Sequence, residues 1–303
     1  MSIEVIREIV GRLSRSAGAL TALGMALQAR QTGASLEPHL RAGLDGVLAA
    51  VGVRDAIDTV DLVQLRPVLA GIRADCLLAA KLLSRPSGAC GWTHTETEIL
   101  QAFGDVSAGF PTVLRQVIGP QLDGLLERLE APTAAFLDVG TGVAALSIAM
   151  ARQWPSLSVT GIEPWPASLM IARENVCSAG LGARITLRQQ PGEALSDVDA
   201  FDLAWIASAF IPGPAVPTVV ARAAAALRPA GWLLLAMANP GNDTLTTALT
   251  QFRTALWGGC LLGADAAQEL LKRSGLAAVQ TLPGPPHSPI SIIAGQKRVH
   301  RDV

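Results

Sequence analysis

Tyrosine is missing altogether from this chain, and ionisable side chains are scarce: 303 residues carry no Tyr, 4 His and 4 Cys, with 16% charged residues against 50% hydrophobic. Without a phenol, any mechanism loses one candidate general base and one common hydrogen-bond donor. Cys76, Cys90, Cys177 and Cys260 are scattered with no C-x-x-C pair, and only Cys90 has a histidine nearby, His94. That spacing argues against a zinc site and against a disulfide framework, so reduced thiols and no metal are expected. Lys and Arg total 24 against 25 Asp and Glu, a net charge of -1. Such a balance offers no electrostatic footprint for nucleic acid or an anionic membrane. No apolar run reaches the roughly 18 residues a membrane span needs, and the stretch 76–83 is broken by Lys81. Residues 1–7 carry an early acid, Glu4, and no uninterrupted apolar core, so they do not read as a secretory signal. A cytoplasmic protein with small-molecule chemistry is expected.

Helical periodicity dominates the first part of the chain. It runs over residues 3–30, 38–51 and 62–83, with Pro67 as a break or first-turn proline, and no strand pattern intervenes. Thr95 to Glu98 has the spacing of a capping box, placing a helix start there that runs past Gln101, Phe103, Gly104 and Ser107. These features divide the chain into a helical domain, 1–125, and a second domain, 126–303. The second has a helical insertion at 239–263 that contains a helix over 244–257.

The second domain opens on the segment Phe136 to Ile148, FLDVGTGVAALSI. Residues 134–139 suit a strand buried on both faces, Asp138 stands at its carboxyl end, and 143–152 has the spacing of a buried helix. Gly140 and Gly142 permit backbone conformations closed to other residues and let a ligand approach the main chain. Gly140-Thr141-Gly142-Val143-Ala144-Ala145 also fits the G-x-G-x-x-A dinucleotide fingerprint. Asp138 weighs against that reading. A carboxylate before the turn repels a pyrophosphate on the helix N-terminus but attracts a cationic amino-acid moiety, which favours S-adenosylmethionine over NAD.

Asp138-Val139-Gly140-Thr141-Gly142 resembles motif I of class I S-adenosylmethionine-dependent methyltransferases, with Ala144 in the place of the family's third glycine. The resemblance covers residues 100–297 and implies an α/β fold: a Rossmann-like, seven-stranded, mostly parallel sheet with helices on both faces, preceded by the all-helical N-terminal domain. Later strand candidates are 157–163, 185–190, 201–207, 227–235, 276–282 and 289–296. By resemblance, Glu163 accepts hydrogen bonds from the ribose hydroxyls and Trp165 lies against the adenine, in a loop stiffened by Pro164 and Pro166. Gly192-Glu193-Ala194 resembles the segment whose acid meets the adenine amino group, and Ser208 begins the loop 208–212 that faces the methyl group. Natural-product methyltransferases of similar layout use the helical domain as a lid or as a homodimer interface.

Methyl transfer needs mainly alignment of acceptor, methyl and sulfur, and a base only for some acceptors. His39, His94, His287 and His300 are the imidazoles available. His94 is the best base candidate and His287 the second. Asp105, Asp202, Asp243 and Asn239 are further polar candidates that equally suit structural positions. The acceptor cavity is expected to be apolar, lined by Trp92, Phe110, Phe210 and Trp257, and to take a hydrophobic polyketide-like or aromatic molecule. Three alternatives stay open: a cyclisation or rearrangement without methyl transfer, a non-catalytic partner subunit, and, distantly, an NAD oxidoreductase.

Overall fold

A computed structural model describes residues 3–84, 91–284 and 288–299. His287, His300 and Cys90 lie outside the described residues. The helical part begins with α1 (Ile3–Thr32), α2 (Pro38–Ala50), a short α3 (Arg54–Thr59) and α4 (Leu62–Ser84). Pro67 falls inside α4 without ending it. Leu27, Leu44, Leu48, Ile57, Leu69 and Ile72 form the small core of this bundle. At Gly24 an added Cβ would come within 3.1 Å of Ile72 Cγ2, so the missing side chain lets α1 cross α4 closely.

The chain then continues through α5 (Thr97–Asp105), a 3-10 turn (Val106–Gly109), α6 (Phe110–Val113), a π turn (Leu114–Ile118), a second 3-10 turn (Gly119–Gln121) and α7 (Leu125–Glu130). The capping box expected from Thr95 does not form. Glu96 occupies the N-cap without a side-chain cap bond, because its carboxylate pairs with Lys81 on α4. Leu114, Ile118, Leu122, Leu125 and Leu129 pack in the same core as β1, so this run is built onto the sheet rather than onto the bundle.

Seven strands follow: β1 (Ala135–Val139), β2 (Ser158–Ile162), β3 (Ile185–Arg188), β4 (Phe201–Ala207), β5 (Leu227–Ala238), β6 (Leu276–Leu282) and β7 (Ile290–Lys297). Their order is β3-β2-β1-β4-β5-β7-β6, with β7 antiparallel to β5 and β6 and the rest parallel. Continuous apolar runs such as β4, FDLAWIA, suit strands covered on both faces. One face packs on α7, α8 (Ala145–Gln153) and α9 (Pro166–Ser178). The other packs on α10 (Val216–Ala226) and α12 (Ala264–Arg273). Helix α11 (Thr244–Trp257) belongs to the insertion after β5. Chain order reverses between β1 and β4, so their carboxyl ends form the crevice where open α/β sheets bind ligands.

Asp202 lies at the opposite end of the sheet from that crevice. It accepts hydrogen bonds from Ala135 N (3.0 Å), Arg128 Nη1 (3.1 Å) and Arg228 Nη1 (2.5 Å), and thereby ties α7 and β5 to the start of β1. Among the described residues no helix is long and apolar enough to cross a membrane, and no cluster of His, Cys, Asp and Glu could hold a metal ion.

Candidate functional site

The turn after β1 is built by two left-handed glycines, Gly140 (φ 76°) and Gly142 (φ 58°). A Cβ on either would have no atom within 4 Å, so their backbone is approachable from the crevice. Ala144 follows at φ 64° and is fully buried. Alanine therefore holds a left-handed conformation in the position of the motif's third glycine, at a cost of about 1 kcal/mol. Gly140 N and Thr141 N both donate to Ile162 O at the end of β2, at 2.9 and 3.0 Å.

Asp138 departs from the expectation that it faces the cofactor's amino group. Its Oδ2 accepts from Thr141 Oγ1 (2.8 Å) and Ser147 Oγ (2.7 Å), and the residue is 1% exposed. Burial pushes its carboxyl pKa up, partly opposed by those two hydroxyls. The carboxylate thus braces the turn against the first turn of α8, and reaches a ligand through its field rather than by contact. Ser147, a lone serine in an apolar helix, was the sequence signal for this brace.

Glu163 closes the other side of the turn. Its Oε2 accepts from Gly142 N (2.9 Å) and its Oε1 from Trp165 N (2.8 Å), with 7% exposure. Burial raises its pKa, the two backbone amides oppose this, and the Asp138 charge adds to the rise. Each oxygen keeps a further lone pair for a hydroxyl. The turn's own amides are spent on Ile162 O and Glu163, so what the carboxylate and the open glycine backbone offer a ligand is a set of acceptors, which fits the ribose hydroxyls and the ammonium group of S-adenosylmethionine.

Pro164 leads into Trp165, the N-cap of α9, whose Nε1 donates to His94 O (2.6 Å). This bond fastens the segment before α5 across the β2 loop. Glu193 and Ala194 are exposed on a 3-10 turn (Gly192–Ala194) beyond β3. Ser208 differs from expectation: its Oγ donates to Ala236 O (3.1 Å) in the core, so its hydroxyl braces β4 against β5 instead of facing the crevice.

Helix α5 rides directly on the glycine turn. A Cβ on Gly104 would overlap Val143 Cγ2, and Leu100, Val143, Ala145 and Ile171 form a small shared core. Asn175 Nδ2 on α9 donates to both Gln101 Oε1 (2.9 Å) and Val143 O (2.9 Å), and Gln101 Nε2 donates to Asp105 (2.7 Å). Asp105, raised in pKa by burial, belongs to this polar chain. Gln101 and Asn175 escaped sequence reasoning, because isolated amides on helices carry no motif.

Over the crevice four rings close on one another. Trp92 meets Phe103 edge-on (5.0 Å between centroids) and Phe210 edge-on (5.2 Å), Phe210 stacks on Trp257 (4.7 Å, 20°), and Phe103 meets Trp257 (5.8 Å). Phe110 is elsewhere, against Trp205 in the core below. His94 sits edge-on to Trp92 (5.0 Å), with Nδ1 3.9 Å from Glu96 Oε2. Burial lowers its pKa, opposed by the Glu96 charge and assisted by the Lys81 charge. His39 is exposed on α2. Asp243 caps α11 through Leu245 N and Thr246 N (both 3.0 Å), and Asn239 holds the turn before it.

Two glycines after α11, Gly258 and Gly259, lie hard against neighbouring backbone. A Cβ on Gly259 would overlap Ala209 O, and one on Gly258 would stand 2.8 Å from Gly91 Cα. Gly91 N in turn donates to Leu256 O (3.0 Å). They are points of close backbone approach that clamp α11 onto the loop after β4 and onto the segment before α5.

Residues 136–231 match the family model of the methyltransferase domain. In sequence the chain is 30% identical over 183 residues to the release factor glutamine methyltransferase of Cereibacter sphaeroides, an alignment covering 54% of this chain and 60% of that protein. The chain spans between 39% and 60% of the length of the curated relatives it matches. In structure it is similar to an O-methyltransferase family protein from Burkholderia thailandensis (TM-score 0.59, 15% identity, 99% of each chain covered). It is also similar to the pyocyanin biosynthetic protein PhzM (TM-score 0.62, 14% identity, 97% of this chain and 98% of that one). At these identities the structural likeness speaks for the fold, which here includes the N-terminal helices as well as the sheet.

Proposed function

We propose that this chain, whose residues 136–231 form a methyltransferase domain on a class I fold, transfers the methyl group of S-adenosylmethionine to a hydrophobic small molecule of specialised metabolism in the cytoplasm. The observation that carries the acceptor class is the ring cluster Trp92, Phe103, Phe210 and Trp257, closed over the crevice beside the Gly140–Gly142 turn. Aromatic walls favour a flat apolar acceptor over a charged one.

S-adenosylmethionine, when bound, supplies a methyl group already activated on a sulfonium. The chain's own part is to hold and orient. In this reading Glu163 receives the ribose hydroxyls, Gly140, Thr141 and Gly142 present backbone, and Pro164 and Trp165 flank the adenine, with Glu193 and Ala194 at its amino edge. The sulfonium held by these residues would supply the methyl carbon to the acceptor's lone pair and would keep the electron pair of the carbon–sulfur bond. An acceptor hydroxyl releases its proton to His94 or to water. The insertion 239–263 and the helical region 1–125 serve as walls of the acceptor site around the cofactor domain 126–303.

Titration calorimetry with S-adenosylhomocysteine tests the reading: the intact protein binds, and Asp138→Ala and Glu163→Ala lose most of that affinity. No binding by the intact protein refutes it. A cyclisation or rearrangement remains the second reading, since His94 is the one imidazole placed beside the cluster among the described residues and it follows neither β4 nor β5. Product mass separates the two, because methylation adds a methyl group and rearrangement leaves mass unchanged.

A homodimer is part of the proposal. Ile3, Ile6, Val10, Leu13 and Leu20 are exposed on α1, spaced alternately by three and four residues if Ala17 is included. That is the spacing of a coiled-coil seam. Light scattering should report a dimer that Leu13→Asp converts to monomer.

A further inference from the structure

Two buried polar atoms on α11 have no hydrogen-bond partner among the described residues: Thr254 Oγ1 and Trp257 Nε1. They stand three positions apart on one helix, so they share a face. It is the face on which Trp257 stacks against Phe210 and meets Phe103. Thr254 is 2% exposed. Buried donors and acceptors almost always find partners, because an unpaired one costs about 1–3 kcal/mol. Loose packing does not account for these two. Asp243 caps the helix at one end, Leu256 O receives Gly91 N and Thr254 O receives Gly259 N at the other, and Arg253 pairs with Asp75 on α4 (3.0 Å). A third such atom, Trp154 Nε1, lies at the far end of the sheet beneath Arg115 and stands alone. Among the described residues, α11 alone carries two such atoms on one face.

Resting on the proposed methyltransferase reading, we infer that Thr254 and Trp257 are the polar handle of the acceptor site. An indole N–H can only donate, so the ligand atom facing it is a hydrogen-bond acceptor. The acceptor molecule is therefore a flat aromatic compound carrying a carbonyl-type oxygen, its ring seated against the outer side of the aromatic cluster and its oxygen held by Trp257 Nε1–H and the Thr254 hydroxyl. The pair acts as a positioning and specificity device: it orients the ring, while the methylated atom is a separate group.

Equilibrium binding of 9-fluorenone and of fluorene tests this, since the two probes share a planar tricycle, lack a methylatable group and differ at the carbonyl. The intact protein should bind fluorenone at least about tenfold more tightly than fluorene, the combined effect of two buried hydrogen bonds. Trp257→Phe, which keeps a flat ring, should cut that preference severalfold by weakening fluorenone, and Thr254→Val should reduce it as well. Melting curves are the folding control: Thr254→Val should melt no lower than the parent, because it removes an unpartnered hydroxyl, whereas Trp257→Phe also loses ring contact with Phe210 and Phe103 and is compared at a temperature where it is folded. Equal affinity for the two probes, no binding of either, or a preference retained in full in Trp257→Phe overturns the inference. S-adenosylhomocysteine binding is measured on the same samples. Its absence overturns the methyltransferase reading, whereas its presence without ketone preference overturns the handle alone.

Discussion

Replacing Glu163 with glutamine removes one negative charge and turns one of two acceptors into a donor. In the parent, Oε2 takes Gly142 N–H at 2.9 Å and Oε1 takes Trp165 N–H at 2.8 Å. Glutamine can satisfy one of these amides, and its NH2 group then confronts the other. The lost bond to a charged group is worth about 1.5–3 kcal/mol, and relief from burying the charge offsets part of it. A net loss of about 1–2 kcal/mol remains, a fall of a few degrees in melting temperature for a chain of this size. Affinity for S-adenosylhomocysteine should fall further, about 10- to 100-fold, because a ribose hydroxyl loses its charged acceptor and the glycine turn loses its brace. Burial holds the Glu163 pKa above its ordinary value. Acidification therefore protonates the carboxyl sooner in the folded protein, and parental affinity should decline as pH falls while that of Glu163→Gln stays flat. Calorimetry across pH, with melting curves as the folding control, makes the measurement. A variant that melts like the parent and binds within twofold at neutral pH would refute the role assigned to Glu163.

Gly259→Ala should cost at least about 2 kcal/mol, since its Cβ overlaps the Ala209 carbonyl and backbone must move; an unchanged denaturation midpoint would count against the clamp. Asp202→Asn leaves Arg128, Arg228 and the Ala135 amide short of acceptors, and should destabilise by about 2–4 kcal/mol in urea while cofactor affinity is preserved, given that the cluster lies at the far end of the sheet. Glu96 is held at about 2 by its bond to Lys81, below the 4.5 of an unstrained glutamate. Its contribution is present above pH 4.5 and lost as pH falls toward 2, so Glu96→Gln should abolish that component, about 1 kcal/mol or less at this partly exposed pair. An identical acid limb in parent and variant would contradict the pairing.

Much of the fold was legible because it rests on local pattern. Apolar runs of strand length, the acid and paired glycines at 138–142, and the βα spacing each follow from short-range chemistry, and β1 to β7 form where that spacing calls for them. The site was less legible wherever a side chain had two uses. Asp138 and Glu163 both read as ligand-facing acids, yet the first is consumed by Thr141 and Ser147 while the second stays at the edge of the crevice with lone pairs to spare. Ser208 follows β4 as expected, but whether its hydroxyl meets the crevice or the β5 backbone depends on the strand beside it. Likewise Thr95 to Glu98 has capping spacing, and the capping box was lost to a lysine on α4.

Sequence alone determined the layers, the glycine turn and the kind of cofactor it suits, because each depends on residues within a few positions of one another. Tertiary structure decided which polar groups remain available to a ligand. Trp92, Phe103, Phe210 and Trp257 are far apart in the chain and become one aromatic surface only when α5, α11 and the loop after β4 meet. Hydrogen-bond satisfaction is a property of that meeting: packing is what pairs Asp138 and Ser208 and leaves Thr254 Oγ1 and Trp257 Nε1 without a partner among the described residues.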